Sequence, residues 1–131
     1  MGADRKKAYG VGPVKEDLAR FPEGVKKRIG FDIGILQEGD MPEQGRAKQM
    51  RGFNPPVIEL RASDGDSAYR CVVTVRLKHR VYILHAFKKK STKDDETPQR
   101  EIEIIAERLK GAQRIDADFD LGEQTEHRRG A

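Results

Sequence analysis

Arg61 and Arg70 flank a turn signal, Ser63-Asp64-Gly65-Asp66, and Lys88-Lys89-Lys90 closes an apolar stretch that contains His85. These are the residue types that handle phosphate. A guanidinium forks onto two phosphate oxygens at once. An imidazole titrates near neutral pH and moves protons, and ammonium groups offset backbone charge. Metal chemistry has little to build on. There is one cysteine, Cys71, and the histidines His79, His85 and His127 share no ligand spacing. Asp94-Asp95-Glu96 falls in an expected loop, where such runs are usually solvated. Neither a metal nor another cofactor is expected, and a lone cysteine excludes an intramolecular disulfide.

For these groups to act together, secondary structure must bring them together. Leu18, Phe21, Val25, Ile29, Ile33 and Leu36 recur at three- and four-residue steps, one apolar stripe on a helix or helix pair. Pro22 fits the first turn of a second helix and Gly39 its C-terminal stop. Tyr9 to Val14 reads as a short edge strand. Residues 40–56, rich in Gly, Pro, Gln and Arg and carrying Arg46, Lys48 and Arg51, read as a loop. Strands are expected over 57–62, over 69–77 by strict alternation, and over 81–87, where both faces are apolar as in a central strand. Thr97 is suited to cap, and Pro98 to open, a last helix ended by Gly111. The order β-α-α-β-β-β-α is an α+β architecture, a small antiparallel sheet packed against helices. Residues 1–8 are expected to be a flexible N-terminus, 9–111 the domain, and 112–131 a flexible charged tail.

Composition agrees with one modest domain. The chain has 131 residues, 36% apolar and 37% charged, and a formal net charge of +4. Residues 1–90 hold 19 basic and 11 acidic side chains, whereas residues 91–131 hold 7 basic and 11 acidic. A basic body hints at a polyanionic partner. No apolar run approaches the ~20 residues a bilayer helix needs. Met1 to Lys7 has no apolar core for a secretory signal and Lys6 breaks a myristoylation pattern, so a cytoplasmic location and no membrane partner are expected.

The pleat fixes which side chains share a face. Matching the apolar set Ile58 and Leu60 to that of the next strand puts Arg61 beside Arg70 on the polar face. A two-residue turn at Lys78-His79 would add His85 and Phe87 to that face, whereas a three-residue turn, Lys78-His79-Arg80, would put them on the other. Like charges held side by side on a sheet repel unless an anion joins them. Either a phosphate does so, or Arg61 pairs with Glu59 or Glu101 and the lysines are a solvated strand end. Tyr69 falls on the apolar face, in core packing.

Taken in order, Glu59-Leu60-Arg61, Tyr69-Arg70, Leu84-His85-Ala86-Phe87-Lys88-Lys89-Lys90, Thr97-Pro98, Glu101-Ile102 and Ala106-Glu107-Arg108-Leu109 resemble the RelE/HigB superfamily of type II toxins, in its phage-derived HigB-like branch. The resemblance runs from Leu18-Ala19-Arg20-Phe21-Pro22 to about Lys110. It implies a RelE-like fold and a toxin that cuts ribosome-bound mRNA without a metal. In that reaction the 2′-hydroxyl attacks the adjacent phosphate. It also implies a cognate helix-turn-helix antitoxin, with the ribosome and mRNA as further partners. On this chain it makes Arg61, Arg70, Lys88 and His85 the catalytic candidates, and Arg46, Lys48, Lys89 and Lys90 the RNA-binding ones. His85 keeps two readings, an acid or base, or a core residue bonded to backbone.

One departure stands out. Members often carry a catalytic aromatic, typically Tyr, near the C-terminus, and here no Tyr follows Tyr82, while Phe119 lacks a hydroxyl. This keeps a second function in play, a non-catalytic phage-related binding module that docks an acidic protein or nucleic acid. The acidic stretch Asp116 to Glu126 suggests shielding of the basic cleft in cis.

Overall fold

The structure, a computed structural model, describes residues 5–89 and 96–130. Its elements are β1 (Lys7–Gly10), α1 (Val14–Ala19), α2 (Glu23–Gln37), β2 (Ala47–Met50), β3 (Val57–Asp64), β4 (Ser67–Thr74), β5 (Arg80–Lys89) and α3 (Gln99–Gly130). The five strands form one sheet in the order β1-β5-β4-β3-β2, antiparallel except for the parallel β1–β5 pair. The architecture is α+β, as the sequence led us to expect, with one strand more. No helix among the described residues is long and apolar enough to cross a membrane.

The helix pair follows its stripe. Val25, Ile29, Ile33 and Leu36 are buried, packed with Leu60, Cys71, Val73 and Val81 against one sheet face. Pro22 sits just before α2, and its carbonyl accepts from Lys26 N–H at 2.9 Å. At the other end Gly39, at φ +91°, donates to the Leu36 carbonyl, and Asp40 donates to that of Ile35. These two bonds satisfy carbonyls that the last turn leaves open, a geometry that favours glycine.

The second core lies on the opposite face. Val57, Val72, Tyr82, Leu84, Phe87, Ile105, Leu109 and Ala112 pack there beneath α3. The sheet is thus a filling between α1–α2 and α3, and its two faces carry different chemistry.

Several expectations need correction. The edge strand expected over Tyr9 to Val14 spans Lys7–Gly10, because Gly12 turns the chain at φ +61° and Val14 already opens α1. Residues 40–56 are not all loop, because Ala47–Met50 pairs with Val57–Leu60 as strand β2. Ala-Lys-Gln-Met has no alternation to read, and its extended form comes from the open edge of β3. Strand β4 stops at Thr74 instead of Leu77, and the carbonyls of Val75 and Leu77 accept from Lys6 Nζ at 3.4 and 2.8 Å.

The last correction concerns α3, which does not end at Gly111 but runs to Gly130. Glycine costs about 1 kcal/mol in a helix, and packing outweighs it: Ala112 and Asp116 are buried, extending the stripe of Ile105 and Leu109. Asp116 is the anchor. It accepts from Tyr82 Oη at 2.7 Å and from the backbone N–H groups of Lys78 and His79, both at 2.9 Å. One turn on, Asp120 binds Lys78 Nζ at 2.9 Å and His79 Nε2 at 2.8 Å. Arg80 lies over the rings of Tyr9, at 5.0 Å, and Phe119, at 4.3 Å.

Burial alone would raise the Asp116 pKa, but the bonds from Tyr82, His79 and Lys78 outweigh it and hold the carboxyl below its ordinary value. A depressed folded-state pKa contributes stability above the unfolded value, lost as pH falls through the folded one. Asp116→Ala also strands three donors, at an expected cost of about 2 kcal/mol. Thermal melts at pH 7 should show the loss, and the gap to wild type should shrink below about pH 4. An unchanged gap at pH 2 would contradict this.

Candidate functional site

Strand pairing arranges the α3-facing side chains in rows. One row crosses four strands as Lys48, Glu59, Val72 and His85. The next holds Arg61, Arg70 and Phe87, and a third Ser63, Ala68 and Lys89. Arg61 and Arg70 therefore stand directly opposite each other, with His85 and Phe87 on the same face, as the register reading expected.

The expected reason for that register was wrong. The β4–β5 connection is not a two-residue turn but residues 75–79. A bulge corrects the register: Val72 pairs with His85, Val73 with Ile83, and Leu84 is the extra residue. Bulges re-aim side chains, and here Leu84 enters the α3 core while His85 meets α3 itself.

Glu59 manages the opposed arginines. Its Oε1 lies 3.2 Å from Arg61 Nε and 3.5 Å from Arg70 Nε. Its Oε2 accepts from Thr97 Oγ1 at 3.0 Å. The carboxylate is 3% exposed, and burial at that depth demands counter-charge. Thr97 is thus no side-chain cap for α3: its hydroxyl serves Glu59, and the Pro98 carbonyl accepts the first helical N–H groups, from Glu101 and Ile102.

His85 is fixed on both sides. Its Nε2 is 2.8 Å from Glu101 Oε1, and its Nδ1 is 3.0 Å from Arg108 Nη1. Arg108 Nη1 also donates to the Leu84 carbonyl at 3.1 Å. The residue is 5% exposed and its ring stacks on Phe87 at 5.1 Å. It is buried, yet its bonds go to charged side chains of α3, neither of the two simple readings.

Two cavities border this network. A cleft of about 1250 Å³ between β2 and the start of α3 is lined by Lys48, Arg51, Glu59, Phe87, Lys89 and Glu101, among others. A cavity of about 640 Å³ at the β3–β4 end brings together Arg28, Arg46, Arg61 and Arg70, and among the described residues none that lines it is acidic. The Glu59 carboxylate stands between them, lining the cleft and binding two arginines of the cavity.

The candidate residues divide as follows. Arg61, Arg70, His85 and Lys89 share the α3-facing side, and Lys48 joins their first row. Lys88 also lines the cleft, but its Nζ lies 6.0 Å from the Tyr69 ring centroid, on the face toward α1 and α2. Arg46 binds Asp32, a fully buried carboxylate of α2, at 3.1 Å, and Glu43 at 2.8 Å. The Asp32 bond, ahead of a smaller opposing burial effect, raises the Arg46 pKa. Lys90 lies outside the described residues.

Burial pushes the Cys71 thiol up to about 12, so the sulfur is inert core. Asp116 and Asp120 hold the β4–β5 connection, at the end of β4 remote from Arg70. Those two carboxylates are therefore engaged away from the arginines, while the side chains of Glu123 and Glu126, which end the stretch expected to shield in cis, lie outside the described ones. Among the described residues no three His, Cys, Asp or Glu side chains are grouped to hold a metal ion.

Glu101 and Arg108 went unassigned in the sequence as site residues. The usable signal was their spacing: seven apart, on one helical face with Ile105 between them. Glu59, two residues before Arg61, was visible only as a pairing partner.

A small, mostly antiparallel sheet with a helix pair on one face and a single long helix on the other defines a RelE-like α+β protein. A family model described as "Phage derived protein Gp49-like (DUF891)" matches residues 16–110, and the chain belongs to that family, one of RelE/HigB-like toxins. Strand β1 and the second half of α3 lie outside the matched stretch. No curated protein and no solved structure matches the chain significantly.

Removing the carboxylate leaves two arginines facing each other and a hydroxyl without its acceptor. Glu59→Ala is expected to destabilise the fold by about 3 kcal/mol, and adding Arg70→Ala should recover part of it. Urea melts of the single and double variants check this. An additive double variant would mean that the carboxylate does not act through Arg70.

Proposed function

We propose that the chain is the toxin of a type II toxin–antitoxin pair and that it acts in the cytoplasm, cutting ribosome-bound mRNA without a metal. The observation that carries this reading is one sheet face on which Arg61 and Arg70 adjoin a carboxylate, next to a histidine–carboxylate pair. Phosphodiester cleavage by an internal nucleophile asks for those two functions side by side. Cations stabilise the charge that builds on the phosphate, and an acid–base group moves the protons.

In the proposed reaction the 2′-oxygen attacks the adjacent phosphorus and the bond to the 5′-oxygen breaks, leaving a 2′,3′-cyclic phosphate. Arg61 and Arg70 bind the phosphate. Lys89 and Lys48 contribute charge along the cleft, and Phe87 offers an apolar wall. Arg28 extends the cationic track away from the scissile bond, and Arg46, paired with Asp32 and Glu43, lines the same cavity. The inhibitor is a helix-turn-helix antitoxin whose acidic segment competes with RNA for the arginines, which accounts for a basic body in a protein that must be silenced.

A second reading, a non-catalytic binding module of the same fold, has one observation in its favour. No phenol reaches the cleft from α3: the position that comes closest in type, Phe119, stacks on His79 at 5.0 Å, and the Tyr82 hydroxyl is held by Asp116.

Induced expression with mRNA 5′-end mapping separates the two. Wild type should arrest growth and produce new in-frame cuts, and Arg61→Ala/Arg70→Ala should lower cutting by at least 10²-fold, since one lost transition-state donor costs about 3 kcal/mol. A soluble, folded wild type that neither arrests growth nor cuts would favour the binding module.

A further inference from the structure

The bonds around His85 decide which group can take a proton. A guanidinium has donors only, so Arg108 must donate to Nδ1, at 3.0 Å. Nδ1 is then an acceptor, and the one ring proton of the neutral imidazole sits on Nε2. That proton is donated to Glu101 Oε1, at 2.8 Å. Accepting another proton would set Nδ1–H against the Arg108 guanidinium. The ring also stacks on Phe87, and it does not line the cleft.

Glu101 differs on each count. It lines the cleft, and its side chain is 21% exposed against 7% for that of His85. One oxygen is held by His85, and Oε2 makes no hydrogen bond among the described residues. A carboxylate anchored through one oxygen and unbonded on the other is a proton acceptor on the wall of the cleft, and Glu59, which lines the same cleft, binds the two arginines that would hold the phosphate.

We propose that Glu101 is the catalytic base that takes the proton of the attacking 2′-hydroxyl, and that His85 and Arg108 are positioning residues that hold it. The assignment rests on the ribonuclease reading above. The proton moves from O2′ to Glu101 Oε2 as the O2′–P bond forms. The P–O5′ bond breaks with its electron pair on O5′, which takes a proton from water. Glu101 later returns its proton to water, so the enzyme ends as it began.

The chain of contacts explains why a histidine lies in a buried strand. Arg108, pinned to the Leu84 carbonyl at 3.1 Å, fixes the ring, and the ring fixes the carboxylate. It also compensates for the absent phenol, since the carboxylate reaches the cleft from the first turns of α3.

Single-turnover cleavage of ribosome-bound mRNA by the full-length chain tests the assignment, with ribosome binding measured alongside. Glu101→Gln keeps size and the bond to His85 but not the basicity. It should cut at least 10²-fold more slowly with unchanged binding and melting temperature. His85→Ala should lose activity, and His85→Gln, which retains an N–H for Glu101, should recover part of it and outperform Glu101→Gln. Glu101→Gln cutting within threefold of wild type, or His85→Gln as inactive as Glu101→Gln, would overturn the assignment. If wild type itself does not cut while it still loads on the ribosome, the ribonuclease reading fails, and this assignment with it.

Discussion

Arg61 and Arg70 face each other across two antiparallel strands, and the pairing is stable because Glu59 reaches both. Two guanidinium groups held opposite one another cost energy. A buried carboxylate without counter-charge costs more. Each problem solves the other, and the solution recruits Thr97, which ties the start of α3 to the middle of the sheet. The polar face is then neither solvent-exposed nor core: it is a charged seam between a sheet and a helix, opening to cavities on both sides of Glu59.

The seam extends along α3 in one direction. Glu101 and Arg108 meet His85 at the bulge, and Asp116 and Asp120 meet the β4–β5 connection further on. Over its first two thirds the helix is held by polar contacts around Glu101 and around Asp116 and Asp120, with Ile105 and Leu109 packed between them. This division of labour explains why α3 can be mostly polar in sequence and still be a fixed element. It also separates roles: charge near Glu59 serves the candidate site, whereas charge near Asp116 serves the fold.

Much of the framework was legible because it rests on periodicity. The α2 stripe and the apolar run of β5 form where they were expected, and the alternation from Tyr69 does so as far as Thr74. So does the juxtaposition of Arg61 with Arg70, since period-two faces leave one register that buries the apolar set. What escaped was tertiary. Strand β2 has no pattern of its own and exists because β3 offers an edge. The extension of α3 past Gly111 depends on Asp116 finding Tyr82 and two backbone N–H groups across 34 and more residues of sequence. The bulge at Leu84-His85 leaves no mark in a stretch that is apolar on both faces, so His85 could be put on the right face but not connected to Glu101 and Arg108.

The central claim is that His85 is a fixed bridge between Arg108 and Glu101, and that the carboxylate is thereby the reactive group of the seam. Long-range proton–nitrogen NMR of the His85 ring reports this directly. The account predicts a neutral ring with its proton on Nε2 and an Nδ1 that accepts a hydrogen bond, with the Nε2 proton protected from exchange. A proton on Nδ1, or a ring exchanging between tautomers, would contradict it.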